Sequence, residues 1–294
     1  MVRTYKIHTN LDGSDNEIID LTNGKIRLYQ PSDLGIVTNT NIWSSQGLGV
    51  FGDTAVSHPS MDFKLETFGD SLQENYNLMN NFVSKILAQK YVTLEYTSEQ
   101  GFYYADVKLS SVTKTEGYGQ NGTFSETISF DVINKWYVYE ALTFTSFTEG
   151  ELMETSKIYS NSRYTYTNES YTYYSEDNAE RFSKWLIDEG IFSFVARLTP
   201  SNSKETKYGL RFLDEQANEY TSIILNLNNK PDFIQLNSDV NDEYYQASTA
   251  NTIVNMFSAL DFQKFRTRIF KKGTMELVNL DSVEMNIKRK VDFV

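Results

Sequence analysis

Alternation of apolar and polar residues with a period of two dominates the chain. In the stretch TFSETISFDV, Phe124, Ile128, Phe130 and Val132 fall on one side, interrupted by Glu126, and Thr123, Ser125, Thr127, Ser129 and Asp131 on the other. Successive side chains of a strand point to opposite faces, so the pattern predicts a half-buried strand over residues 123–132. Tyr103, Ala105, Val107 and Leu109 alternate in the same way with Tyr104, Asp106, Lys108 and Ser110, and Val92, Leu94 and Tyr96 share one face of KYVTLEY. Near the C-terminus the pattern assigns Val283, Met285, Ile287, Val291 and Phe293 to one face, with Lys288–Lys290 read as a charged edge that guards against stray pairing. TYKIHTNL reads as a strand in which His8 shares the polar face with Lys6, a satisfied or exposed residue rather than a metal ligand.

One segment has a different period. Leu72, Tyr76, Met79, Val83 and Ile86 recur at spacings of four and three, the stripe of an amphipathic helix over about residues 71–89. Ser71 and Glu74 supply an S-x-x-E capping box at its start. The expected role of the stripe is to pack on a sheet.

Between the strands at 103–111 and 123–132 lies GYGQNG, residues 117–122, which satisfies the G-x-G-x-x-G pattern of dinucleotide loops. A phosphate loop needs a helix opening at its last glycine, because the free N–H groups of the helix start hold the pyrophosphate. Here the alternation after Gly122 predicts a strand, and Asn121-Gly122 is a favoured pair for a tight turn with positive φ. The motif is therefore read as a hairpin, and no cofactor is expected.

After residue 140 the composition changes. Residues 144–178 are rich in Ser, Thr, Tyr and Asn, and aliphatic strands return at IFSFVARL, YGLRFL, YTSIILNL and DFIQLN. Short strands at this spacing predict a β-sandwich. The organisation expected is a mainly β (β-rich α+β) chain of two domains, 1–136 and 137–280. Residues 281–294 either close the second domain or return to the first. In the tract SRYTYTNESYTYYSED, Tyr164 and Tyr166 share one strand face and Tyr171 and Tyr173 another, which offers an aromatic surface for a partner or a sugar, or pairs across strands within the sandwich.

Composition narrows the function. The 294 residues include no cysteine, which removes disulfides, thiolate metal sites and Cys nucleophiles. Lys and Arg total 27 against 39 Asp and Glu, and a net charge of −12 opposes nucleic acid and anionic membranes as main partners. No long apolar run and no signal-peptide pattern occur, so cytoplasmic assembly is expected. Only two histidines exist, and no G-x-S-x-G is present. The acidic runs at 12–17 and 238–243 lack the EF-hand spacing and read as solvated turns.

Several strings together resemble the distal tail protein (Dit) family of siphophages, in particular those of lactococcal and streptococcal phages. They include YKIHTNLDG (5–13), NGKIRLYQPSDLG (23–35), FKLETFGDSLQENYNLM (63–79), VTKTEGYGQNGTFSETISFDVINKWYVYE (112–140), SYTYY (170–174), GLRFLDEQANEYT (209–221), RTRIFKKGTMELVNL (266–280) and KRKVDFV (288–294). The resemblance implies a non-enzymatic baseplate hub. It implies a ring-forming N-terminal domain, β-sandwich-like with one helix, and a galectin-like β-sandwich whose extension grips partners. The implied partners are five further copies in a homohexamer, receptor-binding protein trimers, the tail-tube protein and a tail-associated tip protein. Residues 144–162 match the family less well. A carbohydrate-binding module acting through the Tyr tract is the alternative from another functional class.

Overall fold

A computed structural model describes residues 3–118, 121–145, 184–187, 190–201, 205–269 and 271–294. The chain is mainly β with a single α-helix. It divides into two compact units, one comprising Met1–Tyr139 with Lys288–Val294 and the other Glu140–Ile287.

The first unit contains β1 (Thr4–His8), β2 (Ile18–Asp20), β3 (Ile26–Ser32), β4 (Val37–Ser45), β5 (Leu48–Ser57), β6 (Met61–Thr67), α1 (Leu72–Ala88), β7 (Val92–Ser98), β8 (Gly101–Val112), β9 (Ser125–Val132) and the start of β10 (Tyr137–Thr145). Its main sheet runs β2–β1–β7–β8–β9–β6–β3, antiparallel throughout. The two ends of the sheet meet at Leu21, whose N–H donates to Tyr5 O at 3.0 Å and whose carbonyl accepts from Leu28 N at 2.8 Å. The inward residues Ile7, Phe63, Leu65, Leu94, Val107, Ile128 and Phe130 form a core with Phe82 and Ile86 of α1. Such a sheet buries its apolar face by curling over a helix.

The helix shows how the sequence pattern is modified by packing. Ser71 caps it, its hydroxyl accepting from Glu74 N at 3.2 Å. The Glu74 carboxylate reaches back to Asp70 N at 2.7 Å, one residue upstream of the capping-box partner, because Lys25 holds it from the side. The buried stripe is Asn75, Phe82 and Ile86, while Leu72 and Tyr76 are exposed. The face is thus turned from the predicted one. Phe82 fills the core, and Asn75 is buried because its amide is fully engaged: Gly69 N donates to Oδ1 at 2.8 Å, and Nδ2 donates to Asn121 O at 2.8 Å. At the other end Lys108 Nζ donates to the carbonyls of Gln89 and Lys90, just past the last helical residue.

Tyr118 and Thr123 exchange both backbone hydrogen bonds at 2.9 Å in an antiparallel bridge, and a strand, not a helix, follows Gly122. Gly122 has φ +63 and sits so close to Leu72 that an added Cβ would lie 2.3 Å from its Cδ1. The positive φ favours glycine there, and a larger residue would also have to displace the exposed Leu72 side chain.

The second unit takes the rest of β10, then β11 (Lys184–Ile187), β12 (Ile191–Pro200), β13 (Lys207–Asp214), β14 (Glu219–Asn226), β15 (Phe233–Asn237), β16 (Tyr244–Thr249), β17 (Thr252–Asn255), β18 (Gly273–Val278) and most of β19 (Leu280–Lys290). Two sheets, ordered β10–β19–β12–β15–β16–β17 and β11–β18–β13–β14, enclose one core. Phe194, Ala196 and Leu198 from one side meet Leu210, Phe212, Met275 and Leu277 from the other, the alternation expected of a sandwich.

The C-terminal strand corrects two expectations. Val283, Met285 and Ile287 are buried on one face as expected, but Phe293 is exposed. Lys288 is 1% exposed, and β19 lies between β12 and β10, so this lysine guards no edge. Its ammonium lies 2.8 Å from Asp12 Oδ2 and 3.6 Å from Asp106 Oδ2, and charge pairing is what permits its burial.

Candidate functional site

Residues 36–57 carry an apolar surface that belongs to neither core. The strands β4 and β5 pair with each other and with no other strand among the described residues, forming a two-stranded arm. Gln46 (φ 50) and Gly47 (φ 82) make its turn with positive φ at both central residues, whose twist matches that of paired strands. Thr40 and Thr54 hydroxyls meet at 2.9 Å across the shaft, and Gly35 O near its base meets His58 Nδ1 at 3.1 Å.

The register decides what the arm can do. Directly opposed residues share a face, so Ile42 and Phe51 lie on one side and Trp43, Val50 and Leu48 on the other. Phe51 is 80% exposed, Leu48 74%, Trp43 64%, Val50 60% and Ile42 59%. The Trp43 indole packs close on Gly52, where an added Cβ would sit 2.8 Å from it. Asp53 is the one ionisable residue between Val37 and Ser57. An isolated two-stranded hairpin is marginal in water, and exposed apolar patches of this kind mark interaction sites. With apolar residues on both faces, no single fold-back onto the first unit would bury the arm.

The arm was not predicted from the sequence. Its signal is NIWSSQGLGVF, apolar pairs flanking a Gln-Gly turn, and strict alternation is absent because both faces are apolar. The four tyrosines nominated for partner binding, Tyr164, Tyr166, Tyr171 and Tyr173, lie outside the described residues.

The remaining polar candidates are engaged within the protein. His8 is buried, its Nε2 2.7 Å from Glu95 Oε2 and its Nδ1 3.0 Å from Asn16 Nδ2. His8 holds the Glu95 carboxyl below the ordinary range against the opposing effect of burial, with Lys6 assisting. Asp12 differs from the solvated turn residue expected of it: it pairs with Lys288 and accepts from Tyr139 OH at 2.9 Å. Asp106 accepts from Tyr137 OH and Thr93 Oγ1, both at 2.8 Å, and burial followed by the Asp106 charge pushes the Tyr137 phenol well above its ordinary value. Glu126, which interrupts an apolar strand face, is buried and accepts from Thr113 and Thr115. The second acidic run also differs from the solvated turn expected of it, since Ser238 and Asp239 are buried, Ser238 Oγ accepting from Phe194 N at 2.8 Å and Asp239 from Asn241 N. Among the described residues no group of three or more His, Asp or Glu is placed to hold a metal ion. No helix among them is long and apolar enough to cross a membrane.

Comparison with known proteins gives a consistent result along the whole chain. Residues 4–133 match the model of the distal tail protein N-terminal domain, and residues 135–294 that of the Dit C-terminal domain. The distal tail protein of Lactococcus phage SK1 is 54% identical over 299 residues, and that of Lactococcus phage p2 is 53% identical, each covered in full by the full chain. A chain in the structure of the phage P2 baseplate in its activated conformation with Ca superimposes with a TM-score of 0.84 at 53% identity, covering all of both chains. The Dit protein of phage SPP1, described as a paradigm of the hub adsorption apparatus, aligns over 99% of the chain at a TM-score of 0.57 and 10% identity, which shows a shared fold.

Proposed function

We propose that this chain, which belongs to the distal tail protein (Dit) family and is a structural component of a phage tail baseplate, closes a homohexameric ring by means of its β4–β5 arm. The observation that carries the reading is the arm's exposure on both faces. Large permanent homotypic interfaces are apolar at their centres, and cyclic symmetry lets each copy give one arm and receive one. The ring joins the tail tube on one side to receptor-binding proteins and the tail-associated tip protein on the other, and it does so without catalysis. Tyr164, Tyr166, Tyr171 and Tyr173 are assigned to the grip on receptor-binding proteins, and their replacement by alanine should weaken co-purification of those proteins while leaving ring mass unchanged.

Light scattering tests the ring directly. The intact chain should give six times the monomer mass, and Trp43→Ser with Phe51→Ser should give monomers of unchanged secondary structure. Burying each aromatic is worth about 1.5–3 kcal/mol, so the double variant should weaken association by about a hundredfold or more at each contact. A strictly monomeric intact protein, or a double variant that assembles as tightly as the parent, contradicts the reading.

A further inference from the structure

Two Asn-Gly pairs occur in the chain, at 23–24 and 121–122, and both asparagines are exposed. In this dipeptide the backbone nitrogen can reach the side-chain amide carbon, because glycine has no Cβ to obstruct the approach. The fold puts the two pairs in opposite surroundings. At the first, Asp20 Oδ1 accepts from Thr22 N at 2.8 Å and from Asn23 N at 3.0 Å, and the Asn23 side chain bonds to the same carboxylate. An ionised carboxylate only accepts, so the NH2 of Asn23 is the group that is held. Donation from that NH2 makes the amide carbon less electrophilic, and the fixed negative charge opposes an anion forming on Gly24 N. Gly24 is also packed so tightly that an added Cβ would lie 2.5 Å from Asp20 O.

At the second pair the surroundings are reversed. Asn75 Nδ2, on a fully buried residue of α1, donates to Asn121 O at 2.8 Å. That oxygen belongs to the peptide unit whose nitrogen is Gly122 N, and a donor placed on it stabilises negative charge in the unit. Neither the Asn121 side chain nor Gly122 N–H makes a hydrogen bond among the described residues.

We propose that Asn121 is a self-modification site, converted to aspartate and isoaspartate in the folded protein with water as the only co-reactant, while Asn23 is spared. Gly122 N gives up its proton and attacks Asn121 Cγ. A C–N bond forms, the Cγ–Nδ2 bond breaks, and the side-chain nitrogen leaves with the proton as ammonia. Water then opens the cyclic imide at either carbonyl. Opening at the α-carbonyl carries the main chain through Cγ, which lengthens it by one methylene and turns the former Asn121 carbonyl into a free carboxylate. The insertion falls where Gly122 packs on Leu72, and Asn75 Nδ2 loses the carbonyl it was set against. The modification therefore loosens the tie between the start of α1 and the strand pair that follows.

The full-length chain, aged in mildly alkaline buffer and digested, reports both sites by mass spectrometry with separation of isoaspartyl peptides. In the folded chain the peptide containing residue 121 should gain one mass unit about tenfold faster than that containing residue 23, the rate effect of about one net hydrogen bond. In urea, where sequence alone acts, the two rates should converge. Asp20→Asn should raise the folded rate at Asn23 towards that at Asn121. Asn121→Gln keeps the backbone carbonyl but closes the ring poorly, so hydrogen exchange across residues 72–88 should quicken on ageing in the parent and stay constant in this variant. Equal folded rates at the two sites, or a faster rate at Asn23, overturn the proposal. So does a difference that survives in urea, or modification of Asn121 that leaves exchange across 72–88 unchanged.

Discussion

Asn75 offers the sharpest test of how the first unit is held together. It is fully buried on α1, yet its amide ties the helix start to two different segments, the Gly69 N–H and the Asn121 carbonyl. Asn75→Ala leaves the buried Gly69 N–H without its acceptor, at about 1–3 kcal/mol, and frees the carbonyl of Asn121, an exposed residue, to water. The expected loss is about 1–3 kcal/mol. Asn75→Asp keeps the acceptor for Gly69 N–H but points a second oxygen at Asn121 O, which favours the protonated acid in the folded state. A raised folded value means stability present at low pH and lost as pH rises, so this variant should be least stable near neutrality. Urea unfolding reports this when Trp43 and Trp185 are replaced by Phe, because Trp136, buried in the first core, is then the only indole. A cost for Asn75→Ala below about 1 kcal/mol, with an unchanged denaturant slope, would refute the view that this amide joins helix and hairpin.

Three further outcomes follow from buried groups and turn geometry. Tyr5 is buried with a hydroxyl that makes no hydrogen bond among the described residues, and burial, then Tyr96, pushes its phenol up to about 12. Tyr5→Phe should be neutral or stabilising by up to about 1 kcal/mol at pH 7, and should reduce the loss of stability that the parent shows as pH rises from the ordinary phenol range towards 12 in alkaline unfolding curves. Lys288→Met removes the positive counter-charge of the buried Asp12 and Asp106 carboxylates and should cost about 3–5 kcal/mol by denaturant titration, much of it recovered by adding Asp12→Asn. Ala250 and Asn251 occupy the turn between β16 and β17 with φ of 49 and 62, so Ala250→Gly should raise the stability of the second unit by about 1 kcal/mol in thermal melts.

The strands whose outer face meets water were legible because alternation survives there. Ile128 and Phe130 on β9, with Phe124 just before it, and Phe194, Ala196 and Leu198 on β12, are buried on one side of alternating positions. The pattern failed where both faces of a strand are buried. On β7, Thr93 and Glu95 are as inaccessible as Val92, Leu94 and Tyr96, since the polar layer of His8, Asp12, Asp106 and Lys288 covers that side. A charge in a strand reads as solvent-facing until its counter-charge is known, and Lys288 finds its partner 276 residues earlier in the chain, at position 12. The helix stripe was misplaced for a related reason. Asn75 counted as polar although all its hydrogen bonds are made internally, and that moved the inferred face away from Phe82.

The arm was illegible for the opposite reason, and its illegibility bears on function. A strand with one apolar face advertises a core in its own chain, because that is the geometry in which a period of two arises. Residues 42, 43, 48, 50 and 51 place apolar groups on both faces of a hairpin that has no layer of its own chain above or below it among the described residues. Sequence periodicity assumes a single solvent boundary, and the arm is exposed on both of its faces. Its coding therefore becomes readable only with the register in hand. That register makes Phe51 and Trp43 opposite-face anchors, so single substitutions separate the two surfaces. If one neighbouring copy covered only the Trp43 face, Phe51→Ser would leave ring mass unaltered. If both faces are engaged in the ring, as a two-sided apolar arm requires, Phe51→Ser and Trp43→Ser should each shift light-scattering mass towards monomer.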